Sequence, residues 1–185
     1  MPPIRDQRLE DRILKAAQRL WRTRGEKGLT LRAVAHAAAT TPPTVYNRFR
    51  NKAALRFALT QRLQAQLQAE CLAASSLEDV CRRYLGFAEK HPHEYRLLWA
   101  DWGRIFGPHR PRPIRAWLLT QLAKRFGGKP EDYEHLFYAL WLLSHGAASL
   151  ITIGADAAAS AEVRENYFAI CDALLQRADI SRTQQ

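Results

Sequence analysis

The sequence predicts an all-α protein of about nine helices, in which a three-helix head is joined by a long fourth helix to a larger helical body. Three observations lead there. Apolar residues recur at three- and four-residue spacing almost throughout, and no run alternates apolar with polar residues as a half-buried strand would. Capping residues, prolines and glycines punctuate the periodic stretches. Two of the helix starts, at Thr30 and Thr41, lie so close together that they outline a helix-turn-helix.

Taken in order, Arg5 to Arg24 is expected to form the first helix, with Leu9, Ile13, Ala16, Ala17, Leu20 and Trp21 on one face, closed by Gly25 and Gly28. Thr30 is a hydroxyl cap for a short second helix over Leu31 to Ala37. Thr41 caps a third whose first positions, Pro42 and Pro43, have no N–H to lose; the Thr44 amide is left as the partner of the Thr41 hydroxyl. Val45 and Phe49 then face inward, while Pro42, Pro43, Thr44, Tyr46 and Asn47 face outward. Asn51 caps a long fourth helix to about Ala74, with Leu55, Leu59, Leu63 and Leu67 four residues apart. No linker rich in Pro, Gly or Ser follows the head, so the fourth helix is itself the connector between a domain of residues 1–56 and one of residues 57–185.

In the second domain, Ser75-Ser76-Leu77-Glu78 suggests a capping box for a fifth helix ending near Lys90. His91-Pro92-His93 should break it, and a sixth helix should run to about Ile105. The proline-rich segment from Gly107 to Pro113 reads as a loop before a seventh helix that ends at Phe126. Gly127-Gly128-Lys129-Pro130 is a stop and restart. Glu131 and Asp132 load the first turn of an eighth helix that extends to about Ile153. Asp156 or Ser160 starts the ninth, which should reach about Ala178 and leave a loose tail.

The net charge of +10 is unevenly divided. Residues 1–60 hold 13 Lys/Arg against 4 Asp/Glu, whereas residues 61–185 hold 15 against 14. A concentrated basic excess on a helix-turn-helix is the footprint of a phosphate-binding module. The third helix is therefore expected to enter the major groove of double-stranded DNA and read base edges with Pro42, Pro43, Thr44, Tyr46 and Asn47. Phosphate contacts are expected from Thr30, Tyr46, Arg48 and Lys52, with Arg5 and Arg8 assisting.

Cys71, Cys81 and Cys171 are odd in number and widely spaced, which argues against a disulfide framework or a zinc site and leaves buried, idle thiols. His91 and His93 supply at most half a metal site, so no metal or cofactor is expected. No run reaches ~18 apolar residues and the polar start lacks an apolar signal core, so a cytoplasmic protein without a membrane partner is expected.

Several separate motifs together resemble the DNA-binding region of tetracycline-repressor-like (TetR) regulators. They are Ile13-Leu14-x-Ala16-Ala17-x-x-Leu20-Trp21, Gly25, Thr30-x-x-x-Val34-Ala35, Pro43-Thr44-x-Tyr46 and Asn51-Lys52-x-Ala54-Leu55, spread over residues 10–56. Departures occur at Ala39, where the family usually has Gly, at Thr40, where a branched apolar residue is usual, and at Ala53, where an acid is often found. A left-handed alanine would cost on the order of 1 kcal/mol, so a slightly altered turn is expected. Trp141-x-x-x-His145-Gly146 is similar to a tryptophan–histidine–glycine signature in the C-terminal domain of one branch of these regulators. For His145 itself a hydrogen-bonded interior position is favoured over a metal role, since no acid or thiol occupies an adjacent helical position.

The resemblance implies a homodimeric repressor with a body that binds a small effector. Aromatic residues crowd the body and could form a packed core or line a pocket for an apolar or aromatic ligand. The candidate lining is Trp99, Trp102, Phe106, Trp117 and Trp141. The resemblance also places the dimer interface on the eighth and ninth helices, at Leu140, Gly146, Ala147, Ile151, Phe168 and Leu175. Two other functions stay open: a helical enzyme or cofactor carrier using the aromatic and His residues of the body, and an architectural DNA-binding protein without an effector. Against the enzyme, the chain has no G-x-S-x-G, no H-E-x-x-H and no phosphate-cradling glycine loop.

Overall fold

A computed structural model describes residues 7–100, 112–154 and 156–183, with side chains as far as residue 178. Among them the architecture is all-helical. In chain order the α-helices are α1 (Gln7–Gly28), α2 (Leu31–Ala37), α3 (Pro42–Arg48), α4 (Lys52–Leu72), α5 (Leu77–Lys90), α6 (Pro92–Ala100), α7 (Pro113–Phe126), α8 (Glu134–Thr152) and α9 (Ala157–Thr183). A short 3₁₀ turn, Pro130–Tyr133, leads into α8. No described helix is long and apolar enough to cross a membrane.

The head assembles around the apolar stripe of α1. Ile13, Ala16 and Ala17 have no exposure, and they meet Val34 and Ala35 of α2, Val45 of α3 and Leu55 of α4 in one core. The helix ends are held as the side chains dictate. Thr30 Oγ1 accepts from the Ala33 amide at 3.1 Å, Thr41 Oγ1 from the Thr44 amide at 3.4 Å, and Asn51 Oδ1 from the Ala54 amide at 2.8 Å. Each such cap is worth about 1 kcal/mol.

α4 runs from the head into the body with Leu55, Leu59, Leu63, Leu67 and Cys71 buried along one side. Its middle is tied back to α1 by Arg62 and Asp11 at 2.6 Å and by Gln18 and Gln66 at 3.1 Å. In the body, α5 packs on α8, α8 on α9, and α6 fits between α4, α5 and α8.

Several boundaries differ from the sequence reading. α1 is broken by a kink at Gly25, whose φ 58 and ψ −151 are not helical, as the sequence reading expects, and a short further helical stretch reaches Gly28. The turn after α2 passes through Ala39. It adopts φ 49, the one positive φ at a non-glycine among the described residues, and the Thr40 and Ala39 amides reach back to the Ala35 and His36 carbonyls. That is the Schellman arrangement, made with an alanine where a glycine would be unstrained. The cap of α5 lies one residue later than expected: Ser76 accepts from the Asp79 amide, and Asp79 accepts from the amide and hydroxyl of Ser75. Glu78 is thereby left for an ion pair with Arg125.

His91 closes α5 while Pro92 and His93 already belong to α6, because a proline at the first helical position costs no hydrogen bond. Glu131 and Asp132 lie in the 3₁₀ turn, with α8 starting at Glu134. Asp156 caps α9 by accepting from the Ala159 amide at 2.8 Å, and the helical backbone runs to Thr183, past the expected end.

Candidate functional site

The outer face of the head collects the residues singled out for groove reading. Pro42, Pro43, Tyr46 and Asn47 are exposed, Thr44 is partly so, and Val45 and Phe49 hold the opposite face in the core. Tyr46 is 49% exposed, a large aromatic ring standing clear of the protein. The Thr44 hydroxyl lies 2.8 Å from that of Thr41, which anchors the first turn of α3.

Thr30 and Arg8 are exposed. Lys52, in the first turn of α4, donates from Nζ to the Glu26 carbonyl at 3.0 Å, so its ammonium sits where the carboxyl end of α1 meets the amino end of α4. Arg48, also expected among the phosphate contacts, is less displayed than Thr30, Arg8 and Lys52. It lies in the last turn of α3, which faces back toward α1, and its Nη1 is 3.6 Å from Glu10 Oε2 with only 17% of the side chain accessible. Arg5 lies outside the described residues.

A second site lies in the body. A cavity of about 220 Å³ is bounded by α4, through Gln64, Leu67 and Gln68, and by the amino end of α7, through Arg112, Ile114, Arg115 and Leu118. α5 contributes Tyr84, α6 contributes Trp99, and α8 contributes Phe137, Tyr138, Trp141 and Ser144. Two of the five expected pocket residues, Trp99 and Trp141, therefore line it. Trp102 and Phe106 lie outside the described residues. Trp117 does not line it: Ile114, Arg115 and Leu118 occupy the cavity face of α7, and Trp117 points off that face and packs partly buried against the core.

Behind the cavity, His145 stacks on Trp141 at 13°, and its Nδ1 and the Tyr95 hydroxyl share a hydrogen bond of 2.7 Å. Burial holds the His145 imidazole below its ordinary value and pushes the Tyr95 hydroxyl above its own, so the ring is neutral and the phenol keeps its proton. The Tyr95 hydroxyl also meets that of Tyr84 at 3.1 Å. The histidine is thus hydrogen-bonded in the layer behind the cavity lining. The three cysteines are buried and free, and burial pushes the Cys71 thiol up to about 12.

Head and body also meet in a junction that sequence reasoning missed. Trp21 Nε1 donates to the His93 carbonyl at 2.9 Å, and Arg22 Nε lies 2.8 Å from Glu94 Oε1. Glu94 is fully buried, its Oε2 has no hydrogen-bond partner, and His91 Nδ1 stands 3.8 Å from Oε1, likewise without a hydrogen bond. Burial lowers the His91 imidazole below its ordinary range, against the pull of Glu94. The sequence carries no signal that singles out Glu94, since α6 holds a second charged residue, Arg96, which is exposed.

The dimer candidates divide. Leu140, Ala147 and Leu175 are buried in their own chain, at 2%, 6% and 1% exposure, and Leu140 lines the cavity, so none of the three presents a contact surface. The unsatisfied apolar surface lies one face over. Leu142, Leu150 and Ile153 on and after α8, and Ile170 on α9, are 58%, 56%, 73% and 45% exposed. Gly146 is exposed in the same stripe, and a side-chain carbon there would meet nothing within 4 Å. Ile151 and Phe168 are partly buried against the core.

Residues 13–59 match the family described as bacterial regulatory proteins, tetR family, and residues 77–174 match the tetracyclin repressor-like C-terminal domain. The chain belongs to the tetR family of bacterial regulatory proteins. It is a helix-turn-helix, DNA-binding transcriptional regulator. Among solved structures, the regulator is similar to a TetR transcriptional regulator from Streptomyces coelicolor, at 24% identity and TM-score 0.69, covering 92% of this chain and 97% of that one. A TetR variant from Acinetobacter baumannii AYE in complex with minocycline is 17% identical, with TM-score 0.64 over 94% and 96% of the two chains. A second tetR-family regulator from Streptomyces coelicolor is 19% identical, with TM-score 0.65 over 95% and 90%. These likenesses carry the fold. No curated protein matches the regulator.

Proposed function

We propose that the regulator is a homodimeric repressor whose α3 reads operator DNA and whose body releases it on binding a small apolar or aromatic effector. The observation that supports this best is the reach of α4. Its first turn carries Lys52 in the head, and about three to four turns further on Gln64, Leu67 and Gln68 form a wall of the cavity. A ligand that displaces that wall moves the head as a rigid body, and the coupling needs no contact between ligand and DNA.

Pro42, Pro43, Thr44, Tyr46 and Asn47 would contact base edges. Thr30, Tyr46, Lys52 and Arg8 would hold phosphates, with Lys52 aided by the amino end of α4. The exposed stripe of Leu142, Gly146, Leu150 and Ile153, with Ile170, fits a two-fold interface of α8 and α9, since both helices leave apolar residues uncovered on one side. A dimer so formed must set its two α3 helices ~34–36 Å apart to match half-sites one helical turn apart. The Acinetobacter relative was solved with minocycline, which supports a body built to hold a small molecule.

The test has two steps. Bound sequences are selected from random duplex DNA, and compounds are then screened for release from the winner. Release by ~5–150-fold, mirrored by equal weakening of compound binding when operator is saturating, is the expected result. Compounds that quench Trp141 without changing operator affinity would overturn the effector role. Unchanged base preference in Thr44→Ala/Asn47→Ala would overturn the reading helix.

A further inference from the structure

The three cysteines do not share one environment. Cys71 lies on α4, Cys81 on α5 and Cys171 on α9, and all three are buried and free. Cys81 nevertheless lines the cavity, beside Val80 and Tyr84 of the same helix, and neither Cys71 nor Cys171 is among the described lining residues. A small solute inside the cavity therefore meets one thiol of the three.

α5 and α9 pack together here, and the Tyr167 hydroxyl sets how they meet. It donates to the Cys81 carbonyl at 3.1 Å and lies 2.8 Å from the hydroxyl of Ser144, another lining residue. Cys171 follows Tyr167 by four residues, so the two side chains leave the same face of α9 toward α5. The Cys171 thiol is accordingly the hydrogen-bond partner of the Cys81 thiol. Cys81 thus has the cavity on one side and Cys171 on the other.

These surroundings separate the thiols chemically. The Cys171 thiol, helped by the Tyr167 hydroxyl, holds the Cys81 thiol below its ordinary range against the effect of burial. Cys171 is itself pushed up, chiefly because its proton is held by the Cys81 sulfur, and burial pushes Cys71 up to about 12. The thiolate is the nucleophilic form, so Cys81 is the first of the three to react. Space selects the reagent: hydrogen peroxide is close to water in size, and a cavity of about 220 Å³ admits it readily.

We propose that Cys81 is a hydroperoxide-reactive thiol reached through the cavity, and that Cys171 resolves it into a disulfide joining α5 to α9. In the first step the Cys81 thiolate attacks one peroxide oxygen, the S–O bond forms as the O–O bond breaks, and the departing hydroxide takes a proton and leaves as water. In the second the Cys171 sulfur attacks the Cys81 sulfur. The S–S bond forms, the S–O bond breaks, and hydroxide leaves with the Cys171 proton as a second water. Two thiols are oxidised and one peroxide is reduced. Displacement at sulfur runs in line with the leaving group, and the cavity and Cys171 lie on opposite sides of Cys81. Oxygenation of Cys81 also ends its hold on the Cys171 proton, so the first step frees the resolving thiol. The cavity serves here as a passage, and an effector that uses it is a separate matter.

The test exposes reduced, full-length protein to hydrogen peroxide, quenches with acid, alkylates the remaining thiols under denaturing conditions and maps the peptides by mass. Cys81 and Cys171 should disappear together into one disulfide within the chain, with Cys71 consumed about tenfold more slowly or less. Cys171→Ser should stop at a sulfenic acid on Cys81 that dimedone traps, and Cys71→Ser should behave as the parent. The peptide map of the parent carries the test if Cys171→Ser fails to fold. Sub-denaturing urea should leave the Cys81 rate unchanged, because the route is the native cavity. A bond that includes Cys71, a disulfide that still forms in Cys81→Ser, or survival of Cys81 under peroxide that oxidises free cysteine overturns the proposal. A Cys81 rate that climbs with urea in step with unfolding overturns the cavity as the route.

Discussion

In the head, α1 to α3 and the first turns of α4 close around Ile13, Val34, Val45 and Leu55, all without exposure, and the large ring left outside is Tyr46 on the outer face of α3. In the body, α8 and α9 leave Leu142, Leu150, Ile153 and Ile170 uncovered, and the space between α4, α7 and α8 stays partly empty. The head is finished by its own chain and presents polar and basic groups. The body is apolar on an outer face and hollow within, two features that a second subunit and a ligand would remove. Completeness therefore differs with the kind of partner: a polyanion needs only displayed side chains, whereas subunits and apolar ligands need surface that the fold has withheld from its own core.

The largest expected effect breaks that contrast at the body. Leu150→Lys/Ile153→Lys should yield a folded monomer by sedimentation, with operator affinity lowered by ~100-fold or more, since each half-site is then held alone. A dimer that persists would place the interface elsewhere. Ala147→Arg serves as the contrast: at 6% exposure it points into its own core, so it should unfold the body, at a cost of several kcal/mol, and not merely dissociate it.

A smaller effect is expected where the two regions meet. Arg22→Ala removes the partner of fully buried Glu94. Because Arg22 is itself half exposed, the loss should be about 1–3 kcal/mol in urea melts, below the full cost of an orphaned buried charge. Arg22→Ala/Glu94→Gln should recover part of it. A single variant as stable as the parent would mean that the pair does not fasten head to body.

The smallest effect lies wholly within the head. Ala39→Gly relieves the left-handed alanine in the Schellman turn and should raise stability by about 0.5–1 kcal/mol, the strain released less the entropy glycine adds to the unfolded chain. No change in the midpoint of thermal unfolding would mean that the turn carries no strain.

Much of this molecule was readable in the chain because its information is local. Thr30, Thr41 and Asn51 announced their helices through side-chain oxygens that satisfy amides three residues on, and the four-residue leucine repeat of α4 named its buried side. The outward residues of α3 followed from the same periodicity, because Val45 and Phe49 determine which way the others turn. The boundaries that slipped did so by one to a few residues, where two neighbouring residues could cap equally well, as Ser75 and Ser76 could, or where a proline could either end one helix or begin the next.

What only the tertiary structure decided is which of several apolar faces meets which neighbour. α8 is apolar around most of its circumference, so its sequence does not say that Leu140 and Ala147 turn inward while Leu142 and Leu150 turn out. The same holds for α7, where Ile114 and Leu118 reach the cavity and Trp117 does not. Arg48 was expected at phosphate, and it is α1 that brings Glu10 beside it; α1 likewise brings Arg22 against Glu94, a pairing that nothing near either residue in the sequence announces. The physical reason is common to all of these: periodicity reports a helix against itself, while burial and ion pairing depend on the rotation of one helix against another, which is settled by residues far apart in the chain.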